Sequence, residues 1–177
     1  MLEGELIFDY IKSEKPKLLE TLQTLPSSDL NPITTNQFAA ACLQEKIHEE
    51  VGESWNMTPC VFLENNHCTI YPVRSFMCRS LGSRVPCDEK GEAEMDPLFL
   101  TLNTLILQCI EHLDQGRPWG NMYTILSMIS EDQKKSGHQK EKNIRISHPI
   151  PGFLIPPEEF DQVEEQLNTL LQIVKGP

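Results

Sequence analysis

Four of the six cysteines fall in one stretch of 28 residues, and their thiols offer the most specific chemistry in the sequence. The stretch contains Cys60, Cys68, Cys78 and Cys87, with 7, 9 and 8 residues between successive cysteines. Four thiolates can close a tetrahedral zinc site or hold an iron–sulfur cluster, because soft sulfur ligands suit both. Burial of the same thiols in an apolar core is the alternative, since free cysteine is among the most buried residue types. No C-x2-C pair occurs, so the spacing matches neither a common zinc ribbon nor a thioredoxin-type redox pair.

A short β-hairpin is predicted over residues 60–71, where two apolar runs flank Asn65-Asn66. Asparagine pairs tolerate the left-handed conformations of tight turns. A two-residue loop pairs Leu63 with Cys68. If this ladder continues regularly to include Cys60, its alternation sends the two thiols to opposite faces, where they cannot share a metal. We therefore predict that the loop is odd, that a bulge interrupts a strand, or that Cys60 lies just outside the ladder.

Other residues near the cysteines are assigned less specific roles. Cys109 lies on the apolar stripe of a predicted helix and is expected to pack in the core. Cys42 is expected in the core or at its boundary, with service as an extra metal ligand as the alternative. His67 is expected to be exposed at the hairpin tip, although histidine is a common metal ligand. Three arginines can either donate hydrogen bonds to metal-bound sulfur or form ordinary ion pairs: Arg74, Arg79 and Arg84.

The cysteine stretch resembles the YkgJ-like cysteine-cluster family, whose members are described as zinc- or iron-chelating proteins. The family pattern reads approximately CPFL, a short polar tip, CSIY, two residues, RP, two residues, CR, and then a further Ser and Cys. The residues that match it are Pro59, Cys60, Phe62, Leu63, Cys68, Ile70, Tyr71, Arg74, Cys78, Arg79, Ser83 and Cys87. The similarity covers residues 33–130. It implies that the four cysteines bind a metal, and it implies no established reaction.

The sequence departs from the family pattern in three places. Val61 and Ser75 replace two prolines of the pattern. The upstream C-x3-C-x2-C-C element is missing, since residues 25–32 contain no cysteine. Two interpretations follow: the four cysteines form a complete site by themselves, or loss of the upstream element has abolished metal binding and left a scaffold.

The N-terminal half is predicted to be largely helical outside the cysteine stretch. A short helix is expected over Leu6–Ile11, and a second helix is expected to begin at Pro16 and carry Leu18, Leu22 and Leu25. Thr34 is expected to cap a third helix, with Gln37 returning the hydrogen bond of a capping box. That helix is predicted to run to about Val51 and to stop at Gly52.

Three helices are predicted in the C-terminal half. One begins at Asp96-Pro97 and ends near Gly116, one covers Met122–Ile129, and one begins at Pro157. The nearly all-polar run from Glu131 predicts a flexible loop over residues 131–148. The fold class is therefore mainly α: a small helical domain with a cysteine-rich irregular insert at 60–87 that contains a short β-hairpin.

Length and charge limit the classes of function. The 177 residues suit one domain over 1–177 that folds without disulfides. With 15 basic and 26 acidic residues the net charge is −11, which argues against nucleic-acid and anionic-membrane partners, because these are bound largely through Lys and Arg. No apolar run reaches the roughly 18 residues of a membrane span, and the acidic start is unlike a secretory signal. We expect a soluble, cytoplasmic protein; no protein partner is identified by the sequence.

The sequence thus predicts a metal-binding protein that holds zinc or an iron–sulfur cluster through four cysteines in a structural or redox role. Closed coordination by four thiolates leaves no open position for a substrate. One alternative is a metal-free helical interaction scaffold, in which the stripe from Phe160 to Val174 docks on a partner or on the domain's own core. The other is a thiol-based redox enzyme or sensor, which needs an exposed cysteine with a depressed pKa. No catalytic motif is identified.

Overall fold

Helices dominate the computed structural model, which describes residues 1–25, 33–46, 59–84, 94–133 and 144–175. The described α-helices are α1 (Leu2–Glu14), α2 (Thr35–Leu43), α3 (Phe76–Ser80), α4 (Pro97–Leu113), α5 (Met122–Gln133) and α6 (Phe160–Lys175). Two antiparallel two-stranded sheets pair β1 (Leu63–Glu64) with β2 (His67–Cys68) and β3 (Pro118–Trp119) with β4 (Arg145–Ile146). Short 3₁₀ turns cover Pro16–Leu19, Thr21–Thr24, Tyr71–Val73 and Pro157–Glu159. The predicted mainly helical fold with a short hairpin is confirmed. None of the described helices has both the length and the apolar composition needed to cross a membrane.

The described residues group into two compact units, each assembled from three segments of the chain. The first unit draws on Met1–Ile33, His48–Ser75 and Arg117–Ile146. The second unit draws on Thr34–Ile47, Phe76–Gly116 and Ser147–Pro177. The prediction of a single domain over residues 1–177 stays a prediction.

In the first unit, α1 packs against α5 around a fully buried apolar core. Ile7 and Ile11 of α1 and Leu126 of α5 have no exposed surface, in accord with the apolar positions predicted for both helices. The two helices approach closely at Gly4. A Cβ atom added there would lie 2.5 Å from Ile125 Cγ2, so the missing side chain is what allows this contact.

The segment after α1 differs from its predicted α-helix. It forms the two 3₁₀ turns Pro16–Leu19 and Thr21–Thr24, yet Leu22 is still buried in the core of the first unit. The backbone of Leu25 is extended, with ψ at 137°. This conformation is expected for a residue before proline, because the ring of Pro26 disfavours a helical ψ at the preceding residue.

In the second unit, α2 begins as predicted and ends early. Thr34 Oγ1 accepts a hydrogen bond from Gln37 N, and the Gln37 side chain accepts one from Thr34 N, which completes the capping box. The helix ends at Leu43 rather than near Val51, so the predicted end is wrong. Glu45 adopts a left-handed φ of 54°, and the N–H of Lys46 reaches back to Ala41 O at 3.0 Å. This bonding is a Schellman motif, in which glutamate occupies the position that usually holds glycine.

Helix α4 is the central element of the second unit and packs against both α2 and α6. Its predicted cap is confirmed, since Asp96 Oδ1 accepts a 2.9 Å hydrogen bond from Leu98 N. Val163 and Leu167 of α6 are buried, so the apolar stripe of α6 is used at least in part within its own unit.

Both ends of the predicted loop 131–148 form regular structure. Residues 131–133 belong to α5, and Arg145 and Ile146 form β4, which pairs with β3. Ser147 is buried, although polar composition alone suggested a solvated segment. The middle of the range, residues 134–143, lies outside the described residues.

Candidate metal centre

The predicted hairpin is present in the first unit and has the two-residue tip that its sequence suggested. Leu63 of β1 pairs with Cys68 of β2. Asn65 and Asn66 at the tip have φ angles of 49° and 62°, which is the left-handed pair typical of a type I′ turn.

Cys60 lies outside the ladder, which is one of the three departures predicted from the sequence. The backbone turns immediately after it, with Leu63 N donating to Cys60 O at 3.0 Å. Tyr123 of α5 fixes this turn: its hydroxyl accepts a 3.1 Å hydrogen bond from Val61 N. Its ring also packs edge-on against the fully buried ring of Phe62, with centroids 6.2 Å apart. The turn therefore allows Phe62 to enter the core, and it removes Cys60 from the alternation of the strand.

The four predicted ligands have different surroundings. Cys60 is exposed, and Cys68 is half-buried against the core of the first unit. Cys78 is exposed on α3, which belongs to the second unit. Cys87 lies outside the described residues. In the described parts of the chain, no three His, Cys, Asp or Glu side chains lie close enough together to hold a metal ion. The site of four cysteines therefore stays a prediction.

The remaining two cysteines behave as their positions on helices suggested. Cys109 on α4 is only 3% exposed, and burial raises the pKa of its thiol above the ordinary value of 9.0. Its expected role in the core is confirmed. Cys42 on α2 is half-buried, which agrees with a position at the boundary of the core.

Two of the three arginines near the cysteines, and His67, make local contacts within the described residues. Arg84 forms an ion pair with Asp96, and its backbone N–H donates to Glu94 O at 2.8 Å. The Arg74 guanidinium lies over the exposed ring of Tyr71, with its central carbon 4.1 Å from the ring centroid. His67 is exposed at the hairpin tip, and its Nδ1 lies 2.7 Å from Asn65 O. A carbonyl oxygen can only accept, so this ring nitrogen is the donor.

Comparison of the chain with models of protein families, with curated proteins and with solved structures finds no match. The resemblance to the YkgJ-like family consequently stays a prediction that rests on the cysteine stretch itself.

A second polar site, in the second unit, was not anticipated from the sequence. It is built around residues 147–154, which we call the strap; it contains no helix or strand. Side chains of α4 accept from its backbone: Glu111 from His148 N at 2.8 Å, His112 from Ile150 N at 3.2 Å, and Gln108 from Leu154 N at 3.1 Å. Side-chain amides donate to it, from Asn36 to His148 O at 2.8 Å and from Gln108 to Gly152 O at 2.9 Å. Polar side chains thus supply hydrogen bonds that a neighbouring strand supplies to a strand in a sheet, together with one backbone bond from Gly116 N to Ser147 O at 2.9 Å.

Glu111 connects the strap to the first turn of α2 through two hydrogen bonds. Glu111 is 3% exposed, and its carboxylate accepts one hydrogen bond from Asn36 N and another from His148 N, each at 2.8 Å. A carboxylate is favourable at this end of a helix, where N–H groups are unpaired and the helix dipole is positive.

A weak sequence signal for the strap existed. Gln108 and Glu111 lie three residues apart on α4 and flank Cys109, a position already assigned to the core. Polar residues on a buried helix face must find partners, because an unpaired buried polar group is costly. Pro149 and Pro151 also identify a segment that cannot form a regular ladder. Neither signal identifies the partner, since the two segments are distant in sequence.

Proposed function

We propose that the protein binds a thiophilic metal, as zinc or an iron–sulfur cluster, through Cys60, Cys68, Cys78 and Cys87. The metal would serve a structural or redox role, because four thiolates leave no coordination position for a substrate. Besides the resemblance, one observation supports the proposal: Cys60 and Cys78 are exposed, whereas Cys109 is buried. The alternative of core packing accounts for Cys109 but not for these two thiols.

The described donor set fits such a metal in its chemistry. Thiolates are soft ligands that select zinc and iron–sulfur clusters over calcium or magnesium. Cys68 packs partly against the core of the first unit, yet it is only half-buried, so part of its side chain is accessible. A reducing compartment such as the cytoplasm, expected from the sequence, would keep these thiols free for metal binding.

Metal analysis of the full chain purified without oxygen tests the proposal. We expect stoichiometric zinc in a colourless protein, or iron with visible absorption from a cluster. Serine substitutions at each of the four cysteines should abolish or strongly reduce the metal content. Cys42→Ser is the matched control, because Cys42 is half-buried in α2 and outside the proposed set. Metal content that survives all four substitutions, or is lost equally in the control, would contradict the proposal.

The same preparation distinguishes the two alternatives. A chain that contains no metal and has uniformly reactive exposed thiols would favour the helical scaffold. Rapid alkylation of a single cysteine in the folded, metal-free chain would favour a thiol-based redox enzyme or sensor, because only a thiolate with a depressed pKa reacts so fast. Cys60 and Cys78 are the described cysteines with the greatest exposure for such a role.

A further inference from the structure

Two histidines of the second unit hold the strap as hydrogen-bond acceptors. The first is His112 on α4, whose Nδ1 lies 3.2 Å from the backbone N–H of Ile150. A backbone N–H can only donate, so Nδ1 carries no proton. The neutral ring of His112 therefore has its proton on Nε2.

The second is His148, which belongs to the strap itself. Its Nε2 lies 2.9 Å from Gln37 Nε2. The orientation of the Gln37 amide is set by the capping box, in which Oε1 accepts from Thr34 N at 3.1 Å. The amide thus turns its NH₂ group toward the imidazole, and His148 Nε2 must be the acceptor. The neutral ring of His148 has its proton on Nδ1, the opposite tautomer to His112.

We propose that the strap is a pH-sensitive latch, which loosens when His112 and His148 gain a proton. An imidazolium has a hydrogen on both nitrogens and accepts at neither. Protonation of His112 places a hydrogen on Nδ1, opposite the N–H of Ile150. Protonation of His148 places a hydrogen on Nε2, opposite the NH₂ group of Gln37. Each event replaces a hydrogen bond by two donors facing each other. Both contacts hold the same eight residues, so the loss of either one loosens the strap. Histidines in general change charge at mildly acidic pH.

Other ionisable groups lie on the elements that pack here. The negative charge of Glu111 attracts a nearby imidazolium and so opposes the loosening of the strap. Both oxygens of this carboxylate already accept from backbone N–H groups, so neither is free of a donor. Both of those bonds hold backbone N–H groups in place, so Glu111 fixes the strap and the start of α2 independently of the two histidines. The remaining ionisable side chains on α2, on α4 with its two caps, and on α6 are Cys42, Asp96, Cys109, Asp114, Asp161, Glu164, Glu165 and Lys175.

The tautomers give the first test, by NMR of the histidine ring nitrogens in the full chain near pH 7.5. We expect the proton on Nε2 in His112 and on Nδ1 in His148. The reversed tautomer at either ring would overturn the proposal, because that nitrogen could then not accept. This result does not depend on whether the protein binds a metal.

Amide hydrogen exchange of the strap gives the second test, with each rate divided by that of an unstructured peptide at the same pH. Loss of one neutral hydrogen bond corresponds to a change of about five-fold. We therefore expect protection at the amides of His148 and Ile150 to fall by about five-fold or more between about pH 7.5 and about pH 5.5. Protection that stays within about two-fold would overturn the latch.

Gln37→Glu makes the test specific for His148. Glutamate preserves the capping box, since it is the usual residue at this position. Its carboxylate, however, accepts from a protonated imidazole, so acid should now strengthen this contact. The fall in protection at the His148 amide should be clearly smaller than in the parent chain, because only protonation of His112 still loosens the strap, and a variant that behaves as the parent chain does would overturn the proposal. His67→Gln is the control, because His67 is exposed on the hairpin of the first unit; it should leave the pH response of the strap unchanged.

Discussion

The backbone N–H of Asn36 donates a 2.8 Å hydrogen bond to the carboxylate of Glu111, 75 residues further along the chain. Asn36 is in the first turn of α2 and is 1% exposed, and Glu111 is near the end of α4. Because the same carboxylate also accepts from His148, one buried side chain joins three segments of the second unit. The stability of this unit should therefore depend strongly on Glu111.

We expect Glu111→Ala to lower the free energy of unfolding by roughly 3 kcal/mol or more. The substitution leaves one buried backbone N–H group, of Asn36, and one partly buried N–H group, of His148, without an acceptor, and the loss of a buried partner costs about 1–3 kcal/mol. Chemical denaturation measures the change. Glu164→Ala on the exposed surface of α6 is the matched control and should change stability by less than about 0.5 kcal/mol. Equal effects in the two variants would show that the two hydrogen bonds contribute little.

Local features of the second unit could be predicted from the sequence because their causes are local. The capping box needs only Thr34 and Gln37, and the start of α4 needs only Asp96 and Pro97. The end of α2 could not be predicted in this way. Its helical periodicity continues past Leu43, and Glu45 is a residue type with no preference for the left-handed conformation that ends the helix.

Because Glu45 has a φ of 54°, its replacement by glycine should stabilise the protein by roughly 0.5–1 kcal/mol. Glycine adopts a positive φ without the steric cost that a side chain has in the left-handed region. Thermal or chemical denaturation measures the gain. Gln44→Gly is the matched control one residue earlier: its φ is −96°, so glycine gains no conformational advantage there and should destabilise. Stabilisation by both substitutions would contradict the role of the φ angle.

At the candidate metal site, the sequence was enough to predict the hairpin but not the contact that positions Cys60. The hairpin tip follows from Asn65-Asn66, and the need to remove Cys60 from the ladder follows from strand alternation. The turn that removes it depends on Tyr123 of α5, 62 residues away from Val61 in the sequence. Spacing cannot reveal such a partner. For the same reason it revealed neither the strap nor the residues of α4 that bind it.

The close approach of α1 and α5 in the first unit predicts that Gly4→Ala destabilises the protein by about 1–3 kcal/mol, despite the better helix propensity of alanine. The added Cβ would lie 2.5 Å from Ile125 Cγ2. This methyl group is bonded directly to Cβ of a residue with one strongly preferred rotamer in a helix, so it cannot move away. Chemical denaturation measures the loss.

Two further variants separate this clash from a general effect of alanine. In an Ile125→Ala background, Gly4→Ala should cost much less, because the methyl group at 2.5 Å is gone and the remaining tight contact, at 3.2 Å, is with the flexible end of Ile129. Gly82→Ala should also be tolerated, since its added Cβ would meet Phe99 at an ordinary 3.5 Å. A loss of the same size in the presence and absence of Ile125 would exclude the clash as the cause.

Burial of Cys109 predicts how stability changes at alkaline pH. Loss of solvation raises the pKa of this thiol above 9.0, so the folded chain keeps a proton that the unfolded chain has already released. Because the unfolded state then binds fewer protons than the folded state, the free energy of unfolding falls as the pH rises. The contribution of Cys109 to folding is thus fully present below about pH 8 and decreases as pH rises through and above its ordinary range.

Comparison of the parent chain with Cys109→Ala isolates this contribution, because all other ionisable groups are shared. Removal of the sulfur should cost a fixed amount of stability at neutral pH, through lost packing. Above about pH 9 the stability advantage of the parent chain should shrink by up to about 1.4 kcal/mol per pH unit, the limit for one proton. Alkylation provides an independent measure: with a chelator present, Cys109 should react much more slowly than the exposed Cys60 and Cys78. A stability difference that is constant to about pH 10 would contradict a raised pKa at this buried thiol.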